Sequence, residues 1–177
     1  MTGPQASAFR RLKVGEPLPN WVVRLDRTAF GVAWKAPAPH EVLWVLPELA
    51  FARWACVPAA GEADLLRIAV DPAHRGGGLG RRLLEACQRE LAEEGLVNLF
   101  LEVRASNAAA IALYRACGWK ACGLRRLSWG TTPESLAMGR TRRASAKQAS
   151  WRRPAAIIAT SATIPAGSIS TLILCLP

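Results

Sequence analysis

Arg75-Gly76-Gly77-Gly78-Leu79-Gly80-Arg81 stands between an apolar stretch closed by Asp71-Pro72 and a helical pattern that starts at Leu79. At such a junction the first-turn N–H groups lack intrahelical acceptors and the helix dipole is positive, so the main chain can hold a phosphate, and glycine lets it approach closely. Arg81 and Arg82 open the same helix, where the dipole disfavours cations; a bound anion resolves that conflict. A glycine cluster alone is equally a flexible turn. The spacing is not GxGxxG, because Leu83 occupies the third glycine's place, and no GxxxxGK occurs, so dinucleotide and nucleoside-triphosphate sites are poorly supported. Two side chains offer proton chemistry: the Glu102 carboxylate as acceptor, and the phenol of Tyr114, the only tyrosine, as donor. Their plainer readings are a surface carboxylate paired with Arg104 or another arginine, and an aromatic packed in a core.

Metal chemistry has no such foothold. Cysteines at 56, 87, 117, 122 and 175 form neither a CxxC pair nor a Cys/His cluster, so a zinc site or disulfide framework has no spacing to support it, and reduced thiols in or near a core are the favoured reading. His40 and His74 are isolated and read as solvent-exposed.

The elements that must carry the loop and the two proton-active residues are legible from Ala63 onward. Asp64 to Asp71 reads as a strand running into the glycine loop. Leu79, Leu83, Leu84, Cys87 and Leu91 recur at helical spacing, with Gly95 as the stop. From Asn98 to Arg104, Leu99, Leu101 and Val103 alternate with Phe100, Glu102 and Arg104, the mark of a two-faced strand. Ser106 or Asn107 caps a helix through Ala108-Ala-Ala-Ile-Ala-Leu-Tyr-Arg-Ala-Cys117 that ends at Gly118. Before residue 60, prolines interrupt every pattern; we expect a helix from Pro19 through Trp21, Val22, Leu25 and Phe30, then a hairpin of Glu41 to Leu46 and Leu49 to Val57 turning at Pro47-Glu48. A last strand pair spans Cys122 to Trp129 and Ser135 to Met138. Strands alternating with helices give a mixed α/β sheet.

Arg75-x-x-Gly78-x-Gly80 after the strand Ile68-Ala69-Val70-Asp71-Pro72 resembles the acetyl-CoA loop of the GNAT superfamily of N-acetyltransferases. Leu101-Glu-Val-Arg-Ala-Ser-Asn107, with Ala110-Ile-Ala-Leu-Tyr114 and Cys117-Gly-Trp119, is similar to the ribosomal-protein alanine N-acetyltransferase group within it. The two stretches cover about residues 63 to 119, a third of the chain. The resemblance implies a mixed, mostly antiparallel central sheet flanked by helices, with acetyl-CoA as cosubstrate and no metal. It implies that Arg75, Gly76, Gly77, Gly78, Leu79, Gly80 and Arg81 clamp the coenzyme's pyrophosphate. The backbone of Ile68, Ala69 and Val70 would pair with its pantetheine arm, and Asn107 would touch the coenzyme while also capping its helix.

Acetyl transfer to an amine needs an uncharged nucleophile, and an α-amine with a pKa of roughly 8 is mostly protonated at neutral pH. The resemblance gives Glu102 the role of base, acting directly or through one water, and Tyr114 the role of acid toward the departing thiolate. It implies direct transfer in a ternary complex to a protein N-terminal α-amine, the N-terminal alanine of a ribosomal protein. The competing readings are a small-amine acetyltransferase and a noncatalytic ribosome- or RNA-binding protein.

The last reading rests on the tail. The chain has 177 residues, 51% apolar, enough for one domain with a core, and a net charge of +10 that favours acidic partners. Residues 1–139 carry 17 basic and 13 acidic side chains, or +4; residues 140–177 carry 6 basic and none acidic. We expect an acetyltransferase domain over 1–139 and a divergent, disordered tail over 140–177, basic to Arg153 and then uncharged. Pro165, Gly167 and the serines and threonines argue against a membrane span there. The first residues lack the apolar run of a signal peptide, so a cytoplasmic location is the default. The sequence also departs from the related enzymes: where they carry a tyrosine pair lining the peptide entry, this chain has Ser128 and Trp129.

Overall fold

The computed structural model describes residues 9–12, 14–128 and 168–176. A seven-stranded sheet runs in the order β1-β2-β3-β4-β5-β7-β6. Its strands are β1 (Arg10–Arg11), β2 (Glu41–Leu46), β3 (Ala50–Val57), β4 (Glu62–Val70), β5 (Asn98–Arg104), β6 (Lys120–Ser128) and β7 (Ser168–Leu176), and its helices are α1 (Asn20–Phe30), α2 (Leu79–Glu93) and α3 (Ala108–Ala116). Every ladder is antiparallel except β4–β5. The β2–β3 hairpin and α1 stand where the sequence places them.

The alternation of each strand sorts side chains between two clusters. Trp44, Trp54, Leu65, Leu99, Leu101 and Val103 pack with Leu83, Leu84, Leu91, Ile111 and Tyr114 of α2 and α3 on one face. Each fully buried leucine there stabilises the fold by roughly 1.5–3 kcal/mol. The Trp44 indole N–H donates to Glu90 at 2.6 Å, joining β2 to α2. On the other face α1 lays Val22 and Leu25 over Leu43, Val45, Phe51 and Ala69. α1 ends at Gly31, whose φ of 80° closes the last turn.

Two irregularities in β4 shape the middle of the sheet. Arg53 pairs with Arg67 but Trp54 with Leu65, so Leu66 is an extra residue, a bulge that sends Arg67 and Ala69 to the α1 face and Ile68 and Val70 to the other. The β4–β5 ladder runs only from Glu62↔Asn98 to Leu65↔Leu101. Beyond it, residues 67–70 of β4 stay with β3 and residues 102–104 of β5 stay with β7, so the two strands part.

The C-terminal segment requires a correction. Read as a disordered appendage with the rest of 140–177, Ser168–Leu176 instead forms β7, inserted between β5 and β6, with Leu101↔Leu174 in one ladder and Leu124↔Leu172 in the other. Its β-branched and leucine-rich run has the composition of a buried strand, and Thr171 and Leu174 are 1% exposed. The partner found for β6 is thus β7; the expected strand at Ser135 to Met138, like Trp129 and the basic stretch from Arg140 to Arg153, lies outside the described residues. β1, too short to leave a pattern, is a further addition to the expected sheet.

Candidate functional site

The end of β4, the glycine loop and the start of α2 form one continuous feature. Asp71 accepts the Ala73 N–H at 3.0 Å and bonds His74 Nδ1 at 3.0 Å, which closes a single 3₁₀ turn at Pro72–His74 and holds the Asp71 carboxyl below its ordinary range. His74 is therefore a partner of Asp71 and not merely a solvated side chain. Arg75 donates its Nε–H to the Val70 carbonyl at 3.0 Å and ties the loop back to the strand.

Gly76 and Gly78 have φ of 83° and 74°, which side chains with a Cβ adopt only under strain. Gly78 caps α2 without any side-chain bond, and no acidic residue stands in the first turn, so the first N–H groups of this 15-residue helix have no side-chain acceptor there. A Cβ placed on Gly76, Gly77 or Gly78 would meet nothing within 4 Å. Gly80 differs: a Cβ there would lie 3.4 Å from Val70 Cγ2 and 3.6 Å from Leu113 Cδ2, so its smallness brings α2 close to β4 and α3. Leu79 has its side chain in the core, which leaves only its backbone for a ligand. Arg81 pairs with Glu85 at 2.7 Å, which raises its pKa, and Arg82 is exposed beside it.

Ile68, Ala69 and Val70 line the parted edge of β4; their other edge is held by Ala52, Phe51 and Ala50 of β3. Glu102, next after the last β4–β5 rung at Leu101, is half-buried on the α1 face of β5, and Tyr114 is 7% exposed within the α2–α3 face cluster. The carboxylate and the phenol are thus on opposite faces of the sheet. Tyr114 packs on Trp119 with ring centroids 6.2 Å apart, so the core reading of this residue holds for its ring. Burial pushes the phenol up to about 12, which keeps it protonated across the physiological range. Asn107 caps α3, its side chain accepting the Ala110 N–H at 3.1 Å.

Sequence reasoning missed two features on the α1 face. Thr171, opposite Arg104, carries a buried hydroxyl with no hydrogen-bond partner among the described residues. Arg53 and Arg67 are buried in ion pairs with Glu41 and Asp26; an arginine inside each of the apolar runs Phe51-Ala-Arg-Trp54 and Leu66-Arg-Ile68 was the signal.

The buried thiols and phenol give a prediction. Burial raises Cys56 from 9.0 to about 11, Tyr114 from 10.0 to about 12, and Cys87 further still. The folded chain holds these protons after the unfolded chain releases them, so the stability they contribute is full below pH 9 and is lost as pH rises from 9 to 12. Thermal melting should show a Tm that falls steadily over that window; a flat Tm contradicts the burial of these groups.

Residues 5–119 match the acetyltransferase (GNAT) family. The chain belongs to the GNAT acetyltransferase family. It is 54% identical over 71 residues to the [ribosomal protein bS18]-alanine N-acetyltransferase of Escherichia coli K12, an alignment covering 40% of this chain and 48% of that protein. The chain thus spans about half the length of the curated relatives it matches. The crystal structure of the Escherichia coli ribosomal-protein-S18-alanine N-acetyltransferase superposes with a TM-score of 0.62 at 28% identity, covering 96% of this chain and 92% of that one. A Bacillus anthracis acetyltransferase solved in complex with acetyl coenzyme A shares the fold alone, with a TM-score of 0.50 at 15% identity over 93% of this chain and 70% of that one. Among the described residues no group of three potential metal ligands occurs, and no helix is long and apolar enough to cross a membrane.

Proposed function

We propose that this chain transfers an acetyl group from acetyl-CoA to a protein N-terminal α-amine, the N-terminal alanine of a ribosomal protein. The observation that carries the reading is the alignment of two features: a glycine loop that offers open space and unclaimed helix N–H groups, and beside it a parted β4–β5 edge with a carboxylate and a phenol on opposite faces. An elongated donor with an anionic diphosphate at one end fits both. Gly76, Gly77, Gly78 and Gly80 with the backbone of Leu79 hold the diphosphate, with Arg75 and Arg81 adding positive charge, and the edge of Ile68–Ala69–Val70 that β5 leaves holds the extended arm. Asn107, at the head of α3, faces the same donor.

The donor supplies an acetyl thioester. Glu102 takes the ammonium proton from the acceptor, directly or through one water, and so presents a neutral amine. Tyr114 remains protonated and donates a hydrogen bond to the sulfur as negative charge develops there. At about 12 its proton is held more tightly than that of an ordinary thiol, so the phenol stabilises the departing thiolate by this hydrogen bond and keeps its proton, and the proton that completes the free thiol is the one the amine gives up. Transfer is direct, with both substrates bound together.

Release of free thiol distinguishes acceptors. A peptide with the N-terminal sequence of a ribosomal protein beginning with Ala should be acetylated far faster than polyamines or amino-sugar amines; the reverse order assigns the chain to small-amine acetylation.

A further inference from the structure

Among the described residues, the ion pairs with the least exposed side chains lie away from the glycine loop. Arg53 and Arg67 are cross-strand neighbours in the β3–β4 ladder, where like charges destabilise a sheet. Their side chains are 4% and 9% exposed. Arg53 pairs with Glu41 and Arg67 with Asp26, the latter at 2.6 Å. The Trp34 ring lies against both guanidinium groups, 4.9 Å from that of Arg53 and 4.5 Å from that of Arg67.

The remaining bonds of this group converge on the segment between α1 and β2. Arg53 donates to the carbonyls of Lys35 at 2.7 Å and Ala36 at 3.3 Å. Arg67 donates to that of Val32 at 2.9 Å, and Asp26 accepts the Trp34 N–H at 2.5 Å. Buried ion pairs are a poor means of stabilising a sheet, since apolar replacements are often neutral or better. What this group provides is a fixed path for residues 31–38, which form neither helix nor strand. The place is also defined: the bulge at Leu66 turns Arg67 onto the face of Glu102, just past the last β4–β5 rung at Leu65↔Leu101.

We propose that Arg53, Trp34 and Arg67 are a positioning unit that holds residues 31–38 as a wall on the acceptor side of the β4–β5 opening, fixing how the chain behind the incoming amine lies beside Glu102. The inference rests on the transfer reading above. None of the three residues touches the reacting atoms; they act through the connector.

The test uses the full chain with Trp34→Leu, Trp34→Phe and Arg67→Lys, an Ala-initiated peptide and acetyl-CoA. Trp34→Leu should raise the peptide KM by about tenfold with little change in kcat, and Trp34→Phe should restore most of it because the aromatic face is kept. Acetyl-CoA affinity should not move, and amide hydrogen exchange of residues 31–38 should accelerate in Trp34→Leu and not in Trp34→Phe. Should Trp34→Leu fail to fold, Arg67→Lys keeps the charge beside Asp26 but loses the planar stack and should show the same KM-selective effect. Active wild type with an unchanged peptide KM in the folded variants overturns the positioning unit and leaves the transfer reading standing. Wild type that neither binds acetyl-CoA nor transfers acetyl overturns both.

Discussion

Glu102→Gln is expected to lower kcat for acetyl transfer at neutral pH by about 10²–10⁴-fold, the usual worth of a positioned general base, while acetyl-CoA binds as before. The substitution keeps the size and half-buried position of the side chain and removes only its capacity to take a proton. The pH profile carries the sharper signature. An α-amine of pKa about 8 is roughly one-tenth neutral at pH 7 and nine-tenths neutral at pH 9, so the variant, reliant on amine already neutral, should gain about tenfold over that range. Tyr114→Phe should also slow turnover without that rise, because the missing group serves the sulfur and not the amine. Its ring packing on Trp119 is preserved, so its Tm should hold. Full activity of both variants from pH 6 to 9 would remove these two residues from the mechanism.

The second large effect concerns the loop. Gly77 has ordinary backbone geometry, and a Cβ there meets nothing within 4 Å. Gly77→Val should therefore leave stability within about 0.5 kcal/mol, as for an uninvolved surface position. If that open space is where the diphosphate lies, the added isopropyl group should weaken acetyl-CoA binding by about a hundredfold, comparable to losing one strong charge-assisted hydrogen bond. Gly78→Val makes the contrast. It adds the same bulk at φ 74° and should lower stability by about 1–2 kcal/mol in addition to weakening binding. Thermal melts and acetyl-CoA titrations on the two variants separate a ligand-binding loop from a merely tight turn. Unaltered affinity in folded Gly77→Val would show that the open space is not ligand space.

Much of the site is legible in local sequence. The glycine cluster, the alternation around Glu102 and the helical spacing from Leu79 to Leu91 each depend on residues a few positions apart, and each element stands where its pattern places it. What local patterns cannot carry is non-local pairing. β1 is two residues long and exists because Arg10 and Arg11 reach Val45 and Trp44. β7 is separated from β5 by more than sixty residues, so the uncharged run at Ser168–Leu176 holds no hint that it enters between β5 and β6. The abrupt change in composition at Arg140 favours an appendage, whereas the Leu172, Leu174 and Leu176 side chains complete the same core as Leu99 and Leu101.

The bulge at Leu66 is equally hidden, because a simple period of two assigns Arg67 to the face of Leu65. Only the register with β3 shows that the strand shifts by one residue there. That shift joins Arg67 to Asp26 and Trp34 and frees the end of β4 from β5. The same local irregularity thus accounts for both the opening and the charged group beside it.

Calorimetric titration of the full chain with acetyl-CoA tests the whole account most directly. A saturable heat with one site per chain, competed by free coenzyme A and weakened about a hundredfold in Gly77→Val, is the predicted result. Material that melts cooperatively yet gives no saturable heat would contradict it.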